Sequence, residues 1–99
     1  MIDAVFIRNG KDFSGYEISG HSDYSEQGSD IVCAAVSSAA YLTANLITDF
    51  FMIKADIELS DGYMKLTADA DRLIDGLYQH MLQLQEQYSK YIKVTISEV

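Results

Sequence analysis

A chain of 99 residues, 48% of them apolar, is long enough to bury one core and too short for two. It therefore reads as a single domain over residues 1–99, near the lower end of comfortable stability. A net charge of −8 with no cluster of basic residues argues against a surface for direct nucleic-acid binding or for an anionic membrane; it suits a basic partner, or solubility alone.

Ile2 to Arg8 is rich in branched and aromatic residues, and Asn9-Gly10 signals a hairpin into a second extended run, Ser14 to Gly20. The first two strands are expected to pair antiparallel. No signal-peptide pattern precedes them, because the segment from Met1 to Arg8 is short and interrupted by charge. Nor is any run of about 20 residues read as apolar enough to span a membrane, so the expected location is the cytoplasm. A polar connection follows: Ser22, Asp23, Tyr24, Ser25, Glu26, Gln27, Gly28 and Ser29. A loop of that length in so small a domain is expected to gate substrate.

Gly28, Ser29 and Asp30 form a breaker and cap cluster that starts a helix running to about Asp49. Val32, Ala35, Val36, Ala39, Leu42, Leu46 and Phe50 recur at helical spacing and are expected to be its buried stripe. The period then changes to two. Ile53, Ala55, Ile57 and Leu59 alternate with polar residues, Asp61-Gly62 turns the chain, and Met64, Leu66 and Ala68 alternate in the return strand. Asp69 and Asp71 favour a helix start, Leu73, Leu77, Met81, Leu84 and Tyr88 mark its apolar face, and Ile92, Val94 and Ile96 form a last strand. The resulting class is α+β: a two-layer ββαββαβ fold, a mostly antiparallel sheet with two helices packed on one face.

The only cysteine, Cys33, excludes an internal disulfide and a four-cysteine zinc site, and leaves the thiol structural or chemical. It falls at the start of the first helix, where the macrodipole and free N–H groups favour a thiolate. Ser37 lies one turn further on, offset with Cys33 from the apolar stripe, so the sulfur should lie at the edge of the core. His21 ends the second strand, and Gly20 before it gives the backbone freedom there. A cysteine nucleophile needs such a base within reach, and N–H donors aimed at the oxygen that gains charge. Gly28 would allow the bend into the helix and leave amides accessible for that oxygen.

Asp30 has two readings, a cap accepting the Cys33 amide three residues on or a carboxylate orienting His21, and the spacing is the cap's own geometry. Ser37 either bonds within the site or back to a carbonyl of its helix. A groove for an extended peptide could run along Cys33, Ser37 and Tyr41, with Tyr16, Tyr24 and Tyr63 gripping side chains. No metal and no cofactor is called for.

Gly20-His21 followed by Gly28-Ser29-Asp30-Ile31-Val32-Cys33-Ala34-Ala35-Val36-Ser37 resembles the ribosomal-processing cysteine protease family known as Prp. Its members pair a Gly-His at a strand end with a G-x-D-I-V-C-A-A-V-S helix start. The resemblance implies a homodimeric cysteine endopeptidase that removes a short N-terminal extension from a large-subunit ribosomal protein, with Cys33 and His21 as the catalytic dyad. Ser22 and Asp23 lie where such loops vary, which bears on substrate preference and not on chemistry. A non-catalytic binding module for ribosome assembly, in which Cys33 merely packs, is the rival reading. A thiol redox sensor is a third, though the chain has no resolving cysteine.

Overall fold

Asn9-Gly10 reverses the chain between β1 (Ile2–Asn9) and β2 (Asp12–Ser19), which pair antiparallel. The computed structural model describes residues 1–21 and 30–99. Next come α1 (Ile31–Asn45), continued by a π-helical turn over Leu46–Phe50, then β3 (Ala55–Ser60), β4 (Tyr63–Ala68), α2 (Asp71–Gln87) and β5 (Ile92–Glu98). The strands lie in the order β3-β4-β2-β1-β5, with β1 and β5 parallel and the other three pairs antiparallel. Strands with this spacing of apolar residues bury one face only. Ile2, Ala4 and Phe6 of β1, Tyr16 of β2, and Met64, Leu66 and Ala68 of β4 supply that face. Both helices cover it with Val32, Val36 and Ala40 from α1 and Ile74, Leu77, Met81 and Leu84 from α2.

Burial and hydropathy depart from expectation in three places. First, the stripe on α1 is rotated: the buried residues are Val32, Val36, Ala40, Thr43 and Ala44, with Ile47 beyond, while Leu42 is 59% and Phe50 77% exposed. A helix without a charged residue until Asp49 has no polar face to define its rotation, and the sheet decides instead. Second, Ile57 and Leu59 are exposed: they lie on β3, an edge strand of the sheet with a neighbour on one side only. Third, Ile31–Phe50 is a 20-residue helical run of mean hydropathy 1.6, long and apolar enough by length and composition to cross a membrane. Ser, Thr and Asn interrupt this run without adding charge, which hid it from a reading of apolar residues alone. Five of its apolar residues, from Val32 to Ile47, join the buried cluster.

The start of α2 also differs from expectation. Its cap position is Ala70, which makes no side-chain cap bond. Asp71 instead accepts the Phe13 N–H at 2.6 Å, next to where the β1–β2 register slips between Ile7 and Arg8. A bulge of this kind leaves an N–H without its ladder partner, and Asp71 satisfies it. The helix is thereby tied to β2, which starts at Asp12, two residues before Ser14.

Candidate active site

Strand register brings the turn after β3 to the end of β2. Ser19 pairs with Tyr63, so Gly20 falls beside Asp61-Gly62, and the Gly20 N–H donates to the Gly62 carbonyl at 2.9 Å. On its other side Ser19 opposes Asp3 of β1, which brings Met1 alongside Gly20. There Gly20 adopts φ +94°, and a Cβ would collide with the Met1 carbonyl oxygen. Glycine is the residue that meets both conditions, a left-handed backbone and a crowded strand end. His21 leaves this crossing of three segments as an exposed side chain, its imidazole against the backbone of Gly62.

The start of α1 forms the facing wall. Asp30 is its N-cap with extended backbone, and its Oδ1 accepts the Val32 N–H at 3.1 Å and the Cys33 N–H at 3.0 Å. The Ala34 N–H closes the first helical bond to the Asp30 carbonyl at 3.1 Å. The carboxylate thus stands in the cap geometry that its spacing from Cys33 implies. It also uses up the amides of Val32 and Cys33. These two N–H groups are therefore turned to the cap and not to a reacting oxygen. Cys33 is half-buried at the margin of the core, packed against it.

A cleft of about 270 Å³ opens between these walls. His21 and Cys33 both line it, with Gly20 and with Ser37, Ala40 and Tyr41 along α1. Cys33, Ser37 and Tyr41 are four residues apart and so share one side of the helix, the side expected to border a peptide groove. The opposite wall is Ser60, Asp61, Gly62, Tyr63 and Met64, and the floor is Ile2, Ile18 and Val36. By its sequence Asp61-Gly62 is only a turn; the β2–β4 register makes it part of the site. Tyr63 donates its hydroxyl to Glu17 Oε2 at 2.6 Å. That bond, helped by partial burial and the Glu17 and Glu58 charges, pushes the Tyr63 hydroxyl up to about 12. Tyr16 is a core residue and not a substrate-gripping one, fully buried with its hydroxyl on the Ala40 carbonyl at 2.9 Å. Gly28 and the proposed gate, with Tyr24 in it, lie outside the described residues. Among the described residues, no group of three or more His, Cys, Asp or Glu is placed to hold a metal ion.

An imidazole and a thiol on opposite walls of one small cleft form a constellation suited to acyl transfer. The family model described as cysteine protease Prp matches residues 1–93. The ribosomal processing cysteine protease Prp of Bacillus subtilis (strain 168) is 26% identical over 108 residues, covering 96% of each chain. Among solved structures, the fold matches the essential ribosomal processing protease Prp from S. aureus, crystallised with a covalently linked product peptide. The TM-score is 0.91 at 23% identity, over 98% of this chain and 100% of that one. SMU.848 from Streptococcus mutans matches with a TM-score of 0.86 at 26% identity, over 100% and 99% of the two chains.

Proposed function

This chain belongs to the cysteine protease Prp family, and we propose that it removes the N-terminal extension of a large-subunit ribosomal protein, with Cys33 as nucleophile and His21 as base. The observation that carries the assignment is that Cys33 and His21 line the same cleft. The imidazole takes the thiol proton and the sulfur adds to the scissile carbonyl carbon. Collapse of that adduct breaks the C–N bond, and the imidazolium returns its proton to the leaving amine. Water, deprotonated by the same imidazole, then hydrolyses the thioester and restores the thiol. Asp30 acts by holding the helix start that carries Cys33, and Ser37 borders the bound chain.

The test is incubation with unprocessed ribosomal proteins and mass analysis of the products. Parent protein should release one N-terminal fragment. Cys33→Ser should fold normally and bind the uncleaved substrate while losing nearly all turnover, because an alcohol is a poorer nucleophile than a thiolate. His21→Ala should slow cleavage by at least ~100-fold, the lower end of what a positioned general base contributes. Turnover in Cys33→Ser equal to that of the parent would sink the assignment.

The enzyme pairs with a second copy of itself, a view supported by the exposed Leu42, Phe50, Phe51 and Met52 on a chain whose charge otherwise repels its like. Sedimentation equilibrium at micromolar concentration should return twice the chain mass. It works in the cytoplasm, beside its substrate, which cell fractionation checks.

A further inference from the structure

We propose that Gly62 is a positioning residue for the reaction: the missing side chain on the β3–β4 turn leaves the space that the His21 imidazole fills, and the turn backbone is the surface against which that ring is set. The inference rests on the reading of His21 as the base.

A Cβ built on Gly62 would lie 2.9 Å from His21 Nε2, 3.3 Å from Cε1 and 3.6 Å from Cδ2. Carbon and its neighbours settle at roughly 3.5–4.0 Å, so the imidazole edge carrying Nε2 already occupies the place a side chain would take. His21 needs such a backstop. It is exposed, it follows a glycine with a left-handed backbone, and it has left the strand ladder, so the core does not choose its rotamer. The turn is fit for the task because it is held at two points: Ser60 pairs with Tyr63 across it, and the Gly62 carbonyl is bonded to the Gly20 N–H. One peptide group thus anchors the residue before the histidine while the adjacent Cα limits the ring.

The φ of +66° at Gly62 already favours glycine, and a second turn glycine separates that backbone effect from the contact with the ring. Gly10 has the same φ, +66°, in the β1–β2 turn, yet a Cβ there meets nothing within 4 Å. Alanine at either site bears a comparable left-handed strain. Only at Gly62 does it also push on the imidazole, and since that side chain is exposed, the ring gives way and the fold does not.

The experiment compares the full-length parent, Gly62→Ala, Gly10→Ala and His21→Ala by thermal melting, by steady-state cleavage of an unprocessed ribosomal protein, and by NMR of 15N-labelled imidazole. Gly62→Ala and Gly10→Ala should lower the melting temperature alike. Gly62→Ala should reduce kcat by ~10- to 100-fold, the scale of a misplacement of about 1 Å. Its KM should change much less, and its His21 ring resonances should move. Gly10→Ala should match the parent in kcat and in those resonances. Gly62→Asn, whose side chain tolerates the left-handed region but brings the same Cβ, should repeat the kcat loss and stands in if the alanine variant does not fold. Parent-like ring resonances and kcat in Gly62→Ala or Gly62→Asn would overturn the proposal while leaving His21 as base. Retained turnover in His21→Ala would instead overturn the base assignment, and the proposal with it, whatever the glycine variants do.

Discussion

Asp30 holds the start of the helix that carries Cys33. Its Oδ1 caps α1 through the amides of Val32 and Cys33, so its removal frees two N–H groups beside the thiol. Asp30→Ala should cost about 0.5–2 kcal/mol, measured by denaturant unfolding, whereas Asp30→Asn, another good cap, should cost much less. An Asp30→Asn protein with parent-like stability and nearly no turnover would restore the orienting carboxylate. Tyr63 makes a second test at this scale, through pH. Its hydroxyl is held up to about 12 by the bond it donates to Glu17, against an ordinary value near 10. A raised pKa means that the unfolded chain loses this proton first. The contribution to stability is therefore complete below about pH 10 and lost as pH climbs towards 12. Melting curves should show this alkaline loss in the parent and a shallower one in Tyr63→Phe.

At the scale of elements, α1 is anchored to the sheet by packing and, among the described residues, by a buried polar tether. Tyr16 rises from β2 and donates to the Ala40 carbonyl at 2.9 Å, at the height of the helix that borders the cleft. Burial raises its hydroxyl pKa well above the tyrosine norm, so it remains a donor throughout the working range. Tyr16→Phe should keep the ring packing and lose about 0.5–1.5 kcal/mol, the net worth of a typical hydrogen bond, as read from the shift in the urea midpoint. A loss below that range would mean that packing alone holds α1. The two sides of the cleft differ in origin: α1 brings Cys33 through its cap, and the β2–β4 register brings His21 through the Gly20–Gly62 bond.

For the whole molecule, a charge of −8 makes encounter with a basic protein electrostatically favourable. The attraction acts over roughly a Debye length, about 8 Å at physiological ionic strength and less above it. Raising salt from about 0.05 to 0.5 M should therefore lower kcat/KM for a basic ribosomal substrate severalfold by slowing association, while leaving kcat nearly unchanged. A salt-independent kcat/KM would mean that the acidic surface serves solubility only.

Local chemistry determined the elements. Hairpin signals, the change from helical period to period two, and the cap spacing of Asp30 and Cys33 sufficed for ββαββαβ, because turns, caps and alternation are short-range properties of the chain. The Gly-His and Asp-Ile-Val-Cys blocks named the family for the same reason. Tertiary structure decided what depends on residues distant in sequence. The rotation of α1 followed from the sheet, since a helix with charge only at Asp49 leaves its angle open. The exposure of Ile57 and Leu59 followed from the place of β3 at the sheet's edge, which alternation cannot reveal. Above all, Gly62 became part of the site only because Ser19 pairs with Tyr63, a long-range choice of register that sets a turn 41 residues downstream against His21.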